Sequence, residues 1–292
     1  MSVFLQQIIN GLSLGSIYAL VALGYTMVYG IIKLINFAHG DIYMIGAYTA
    51  FLVTTYLHFS FFPALLASMV VCGLLGMAIE RVAYKPLRKA PRITALITAI
   101  GISYVIEYTT QYFLGSETRT YPDILPKTIY SLGPVTISTH QIYIFAIAIV
   151  LMVGLQFIIR KTKIGRAMRA VSVDEKAAQL MGINVDHTIS MTFLIGSALA
   201  GAAGILVGIY YNSINPLMGI VPGLKAFVAA VFGGIGSIPG AMIGGLFIGI
   251  CESLVVAYGS SLYRDAIVYA ILIIVLIVRP SGLLGKNERE KV

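Results

Sequence analysis

Two short strings interrupt an otherwise apolar sequence with groups able to hold a solute. Asn36-Phe37-Ala38-His39-Gly40-Asp41 brings an amide, an imidazole and a carboxyl together, and Gly233-Gly234-Ile235-Gly236-Ser237-Ile238-Pro239-Gly240 offers backbone N–H and C=O groups with few side chains over them. Non-helical backbone is tolerated at membrane depth only beside protein or a water-filled cavity, and breaks in two halves of a chain mark a pathway. On that reading Asn36, His39, Gly40 and Asp41, with Gly233, Gly234, Gly236 and Ser237, line a route for a small solute. A plainer reading stands beside it: Asp41 caps the helix that follows, and the Gly-Gly and Pro-Gly pairs form an ordinary tight turn.

Covalent chemistry finds no support. The sequence has neither a G-x-S-x-G elbow nor an H-E-x-x-H metal pair, so no catalytic residue and no metal site is expected. Cys72 and Cys251 fall in apolar runs and read as small packing residues rather than a disulfide framework. His39, His58, His140 and His187 lie at or near loop positions. Glu107 and Glu252 fall inside apolar runs, and a charge facing lipid at the bilayer centre costs about 2–3 kcal/mol or more. Both acids must therefore face the bundle or its water. A proton- or sodium-driven carrier would need more such groups, which disfavours an ion-coupled secondary carrier.

The elements that position these residues follow from composition. With 58% hydrophobic and 11% charged residues over 292 positions, the chain has too little polar surface to cover a water-soluble globule of its size. About eight runs approach the roughly 20 apolar residues that cross a bilayer: near 5–30, 41–57, 62–80, 93–114, 140–159, 188–211, 221–258 as a broken pair, and 265–278. Continuous runs in lipid must satisfy their own backbone, which makes them helices. The expectation is an all-α polytopic transmembrane bundle, one domain over 1–292, with no separate soluble domain. The first run lacks the charged start of a signal peptide and reads as a retained helix.

Lysines and arginines set the orientation. Placing the basic loop 160–187 inside puts Lys33, the cluster Arg81, Lys85, Arg88, Lys89 and Arg92, the loop's own Arg160, Lys161, Lys163, Arg166, Arg169 and Lys176, and the tail's Arg279, Lys286, Arg289 and Lys291 on that side. Only Arg119, Lys127, Lys225 and Arg264 remain outside. The bias predicts an outer amino terminus and a cytoplasmic carboxyl tail. It also accounts for the net charge of +8 without a nucleic-acid partner. Small residues recur every four positions at Gly196, Ala200, Gly204 and Gly208, and again at Ala241, Gly245 and Gly249, faces on which membrane helices approach closely.

Within the basic loop, Ser172-Val173-Asp174-Glu175 fits a capping box, with Ser172 as N-cap and Glu175 reaching back. Lys176, Ala177, Ala178, Gln179, Leu180 and Met181 continue a short helix, and Gly182 suits the left-handed residue that ends it. An isolated helix so short is unstable in water. Either its own bundle or a partner groove must hold it.

These strings carry a resemblance. EKAAQLMGIN, after IGRAMRAVSVD and before FLIGSALAGAAGIL, resembles the cytoplasmic coupling loop of ABC-importer permeases of the branched-chain amino acid and ribose group. The runs GLSLGSIYALVALGYTMVYGIIKLINFAHGDIYMIGAY and KAFVAAVFGGIGSIPGAMIGG are similar to the branched-chain amino acid permeases of the LivH type. The similarity extends from about Gln7 to the tail and is weak over 115–139. It implies a type II ABC-importer-like permease in the bacterial cytoplasmic (inner) membrane. Its implied partners are a second, related permease subunit, two cytoplasmic ATPase subunits that bind the ATP, an extracytoplasmic substrate-binding protein and membrane lipid. The absence of a G-x-x-x-x-G-K-[ST] loop agrees with ATP being bound elsewhere. By resemblance Asp174–Gly182 is the helix seated in an ATPase groove, with Ala177 and Ala178 giving close approach. The NFAHGD string resembles the amino acid branch, which implies leucine, isoleucine and valine, with urea or short amides as the alternative.

Overall fold

The computed structural model describes residues 2–88 and 90–285. Lys89, Lys286, Arg289 and Lys291 of the charge tally, and the side chain of Arg92, lie outside the described residues. The helices are α1 (Ser2–Ile32), α2 (His39–Tyr56), α3 (Phe61–Ile79), α4 (Lys85–Leu87), α5 (Arg92–Leu114), α6 (Thr139–Lys161), α7 (Lys163–Val173), α8 (Glu175–Leu180), α9 (Val185–Tyr211), α10 (Ile220–Gly233), α11 (Ile238–Tyr258) and α12 (Arg264–Val278). A π-helical turn, Glu80–Tyr84, joins α3 to α4, and a 3-10 turn, Ser261–Tyr263, precedes α12. Among the described residues, seven helices are long and apolar enough to cross a membrane. The broken pair resolves into unequal parts. At 14 residues and 1.5 Å per residue, α10 reaches about 21 Å, short of the roughly 30 Å of hydrocarbon, whereas the 21 residues of α11 make a full crossing.

Four short strands depart from the all-helical expectation. β1 (Arg119–Thr120) pairs antiparallel with β4 (Ser213–Ile214), and β2 (Ile129–Leu132) with β3 (Val135–Ser138). They lie between spans; the β-branched run Val135-Thr136-Ile137 and a tight turn at Gly133, φ 64°, make β2 and β3 a hairpin.

Close backbone approach organises the bundle. α1 runs antiparallel along α11: a methyl group on Gly249 would meet the backbone of Gly15, and one on Gly245 the backbone of Ala19. α9 runs along α3 in the same way, with Gly201 against Ser68 and Cys72, and Gly76 against Ser197. The Ser68 hydroxyl donates to the carbonyls of Gly46 and Gly201, at 2.9 and 2.7 Å, pinning α2, α3 and α9 together. The predicted small-residue faces thus pack within the chain. α1 and α9 are buried along most of their length, whereas α12 buries only Val268 among its residues.

The helix order repeats with inverted direction. A long helix, a short helix and two more spans appear as α1, α2, α3, α5 and again as α9, α10, α11, α12, with α1 on α11 matching α9 on α3. α2 and α10 meet head to head: a methyl on Gly40 would strike the Gly219 carbonyl, and one on Gly219 the Gly40 carbonyl. Neither helix has a side-chain cap, so glycine is required where the two ends touch.

Candidate functional site

The first break turns back into the bundle before α2 begins. The His39 ring lies against the backbone of Gly24, about two turns short of the end of α1, and meets Tyr25 edge-on at 4.8 Å. Asn36 accepts a hydrogen bond from the Tyr84 hydroxyl at 3.1 Å. Ala38, not Asp41, is the N-cap of α2, which corrects the capping reading. Asp41 lies in the first turn, where the helix dipole favours a carboxylate, accepts from the Ser103 hydroxyl and adjoins Glu107. Asn36, His39, Asp41 and Glu107 are all buried.

The second break is a turn held by the segment that follows α12. Gly234 and Gly236 have φ of 104° and 90°, a conformation open to glycine. The Gly233 carbonyl accepts from the Leu284 N–H at 2.9 Å, so the tail straps the turn. Ser237 caps α11 through the Gly240 N–H, and Gly236 is exposed. Ile35, beside the first break, and Ile235, in the second, line one small cavity with Tyr25, Tyr29, Phe227 and Ala230. Asn36, His39 and Asp41 are not among its walls.

The basic loop holds two helices rather than one. α7, capped by Thr162 through Gly165, buries Gly165, Met168 and Val171. The capping box expected at Ser172 and Glu175 is absent. Ser172 lies inside α7 and its hydroxyl donates to the Arg169 carbonyl, while Asp174 caps α8 by accepting the Ala177 N–H at 2.9 Å. A serine already bonded into one helix cannot start the next. Ala178 is buried, whereas Val173, Leu180 and Met181 stand clear, Leu180 at 88% exposure. Gly182 has φ 81°, as expected of the left-handed stop. Beyond it Asn184 caps α9, whose Asp186 pairs with Lys85 at 2.7 Å and with Arg88. Arg88 also binds the fully buried Glu80, which accepts from Ser190 at 2.6 Å. The start of α9, which follows the short helix, is thus connected by charge to the π-helical turn after α3.

Over residues 7–276 the chain matches the family described as branched-chain amino acid transport system, permease component. It belongs to that family. The permease is 46% identical to the high-affinity branched-chain amino acid transport system permease protein BraD of Pseudomonas aeruginosa, over 99% of this chain and 98% of that one. It is also 46% identical to the corresponding protein LivH of Escherichia coli K12, with the same coverage. In fold it is similar to PsaBC from Streptococcus pneumoniae in complex with Fab, with a TM-score of 0.52 at 13% identity over 95% of this chain and 92% of that one.

One constellation of the permease escaped the sequence reading. Lys225, counted there among the outer bases, lies inside α10 at 1% exposure. Its ammonium binds Glu252 on α11 at 2.9 Å and Asp265 on α12 at 2.7 Å. The Tyr18 hydroxyl on α1 donates to Glu252 at 2.9 Å, and Arg264 approaches the same carboxylate at 3.3 Å. A signal was present: the run 221–258 contains one base and one acid, and each needs the other in an apolar setting.

Proposed function

We propose that this chain is the membrane-spanning subunit of an ATP-driven importer for leucine, isoleucine and valine, working beside a second permease, two ATPases and an extracytoplasmic binding protein. The membership in a branched-chain amino acid permease family carries this reading. The exposed apolar residues around α8 support it: Val173 at the end of α7, Leu180 in α8 and Met181 at its C-cap project from the basic face, uncovered by the described residues. An apolar helix face of this size in water calls for a groove to receive it. In this reading the basic face is cytoplasmic and the amino terminus outside.

ATP-driven closure of the ATPases displaces α8. The displacement passes through Asn184 into α9 and, by Asp186, Arg88 and Glu80, to the end of α3. Inward and outward access then exchange because the ATP cycle favours the two states differently. The buried break at Asn36–Asp41 and the Ile35–Ile235 closure are the parts of the pathway that change.

The test is uptake of radiolabelled leucine and urea by proteoliposomes holding the complete transporter and binding protein, with Ala177→Glu and Gly182→Pro alongside. The expected result is ATP-dependent leucine uptake that falls at least tenfold in both variants while membrane insertion persists. Uptake of urea and not leucine, or uptake by this chain without ATP, overturns the reading.

A further inference from the structure

After α12 the chain reads Arg279-Pro280-Ser281-Gly282-Leu283-Leu284-Gly285, where a proline stops the helix and glycines let the chain double back. The segment folds against the turn between α10 and α11. We infer that residues 279–285 are a releasable clasp. Closed, as in this structure, it fixes the basic-side end of α12 to the α10–α11 turn. Open, it frees that end to swing while α1, α3, α9 and α11 stay packed. The inference rests on the ATP-driven reading above, which requires two states, and adds to it one part that differs between them.

The joint is close-fitting. The Leu283 N–H donates to the Phe232 carbonyl and the Leu284 N–H to the Gly233 carbonyl, both at 2.9 Å. A methyl on Gly234 would meet the backbone of Gly285, and one on Gly282 the backbone of Gly234 and the Val231 carbonyl. Gly234 and Gly282 have φ of 104° and 72°, so the fit is specific to glycine. The joint is also shallow. These hydrogen bonds are main-chain, and the Leu283 and Leu284 side chains stand 39% and 48% exposed, so little apolar burial opposes opening. A segment with few buried apolar contacts opens locally while the core holds. α12 adds little grip of its own: it buries only Val268, and Tyr269, Ile271 and Leu272 are only partly covered. The start of α12 is tied by charge, Asp265 to the buried Lys225 at 2.7 Å. A helix tied at both ends and lightly packed between them pivots on the deeper tie when the shallower one lets go. The turn gripped by the clasp reaches into the bundle, since Gly236 lies against Gly30 of α1 and Ile235 shares a cavity with Ile35. The clasp therefore joins the least buried span to the inner ends of the most buried ones.

The test is amide hydrogen exchange, read by mass spectrometry on the complete reconstituted transporter, nucleotide-free and trapped with ATP and vanadate. Exchange at Leu283 and Leu284 should differ at least tenfold between the two states, while α1, α9 and α11 keep the same protection in both. Leu284→Pro removes one donor and leaves chain length and charge unchanged. Without nucleotide it should speed exchange at Leu283 at least tenfold and leave the buried Cys72 as unreactive toward a thiol reagent as in the parent. Equal exchange at Leu283 and Leu284 in the two states, with α8 changing between them, makes the segment a fixed strap and overturns the inference, as does unchanged Leu283 exchange in Leu284→Pro. A variant in which Cys72 becomes reactive overturns it too, since the segment would then support the whole bundle. No change anywhere in the chain, α8 included, instead sinks the ATP-driven reading and the clasp with it.

Discussion

Removing the ammonium of Lys225 should unfold this bundle more readily than almost any other single side-chain change. In Lys225→Met the Glu252 carboxylate stays buried and keeps only the Tyr18 hydroxyl and Arg264, itself 3.3 Å away and partly solvated. Breaking one partner out of a buried pair costs about 3–5 kcal/mol, and the remaining partners hold the loss near the lower end. At roughly 2–4 °C per kcal/mol for a chain of this size, the midpoint should drop by about 6–12 °C. Lys225→Met with Glu252→Met removes both charges, so the double variant should recover at least half of that drop. The chain has no tryptophan, but Cys72 is a buried free thiol and Cys251 only a partly buried one, so in a Cys251→Ser background labelling by a thiol-reactive fluorophore during a temperature ramp reports opening. A double variant as unstable as the single one would refute the reasoning, since it would mean that packing and not the orphaned charge sets the loss.

Gly249→Val should separate α1 from α11, because its side chain would occupy the position of Gly15 and Gly11 backbone; folded yield by gel filtration in detergent should fall more than fivefold, whereas Gly154→Val, with nothing near it, should leave yield unchanged. Asp174→Ala should lose the α8 cap at a cost of about 1 kcal/mol, seen as faster amide exchange over 175–181, while Ser172→Ala should leave exchange there unaltered.

The long spans were legible because a bilayer imposes length: twenty apolar residues in a row allow little besides a crossing helix. The small-residue faces at Gly245 and Gly249 were legible for the same reason, since spacing by four fixes one side of a helix. Depth was not. Nothing in Asn36–Asp41 or Ile220–Gly233 states that α2 and α10 begin against each other inside the bundle; that depends on the Gly40–Gly219 contact, formed by residues far apart in sequence. Lys225 was counted only by its side, because a lone base in an apolar stretch shows no partner until its acid is found across the bundle. At the α8 start two residues could cap, and local sequence did not reveal that α7 would extend far enough to absorb Ser172. The two breaks were picked out by residue type, but their surroundings rest on packing: Ile35 and Ile235 line one cavity, and Asn36, His39 and Asp41 are not among its walls.

The meeting of Gly40 with Gly219 has the geometry of a bearing. Two backbone ends in contact, with no side chains to interlock, resist being pressed together yet turn against each other without dragging packed groups past one another. α2 is 18 residues long, an arm of about 27 Å at 1.5 Å per residue, so a rotation of about 10° at the bearing carries its far end about 5 Å.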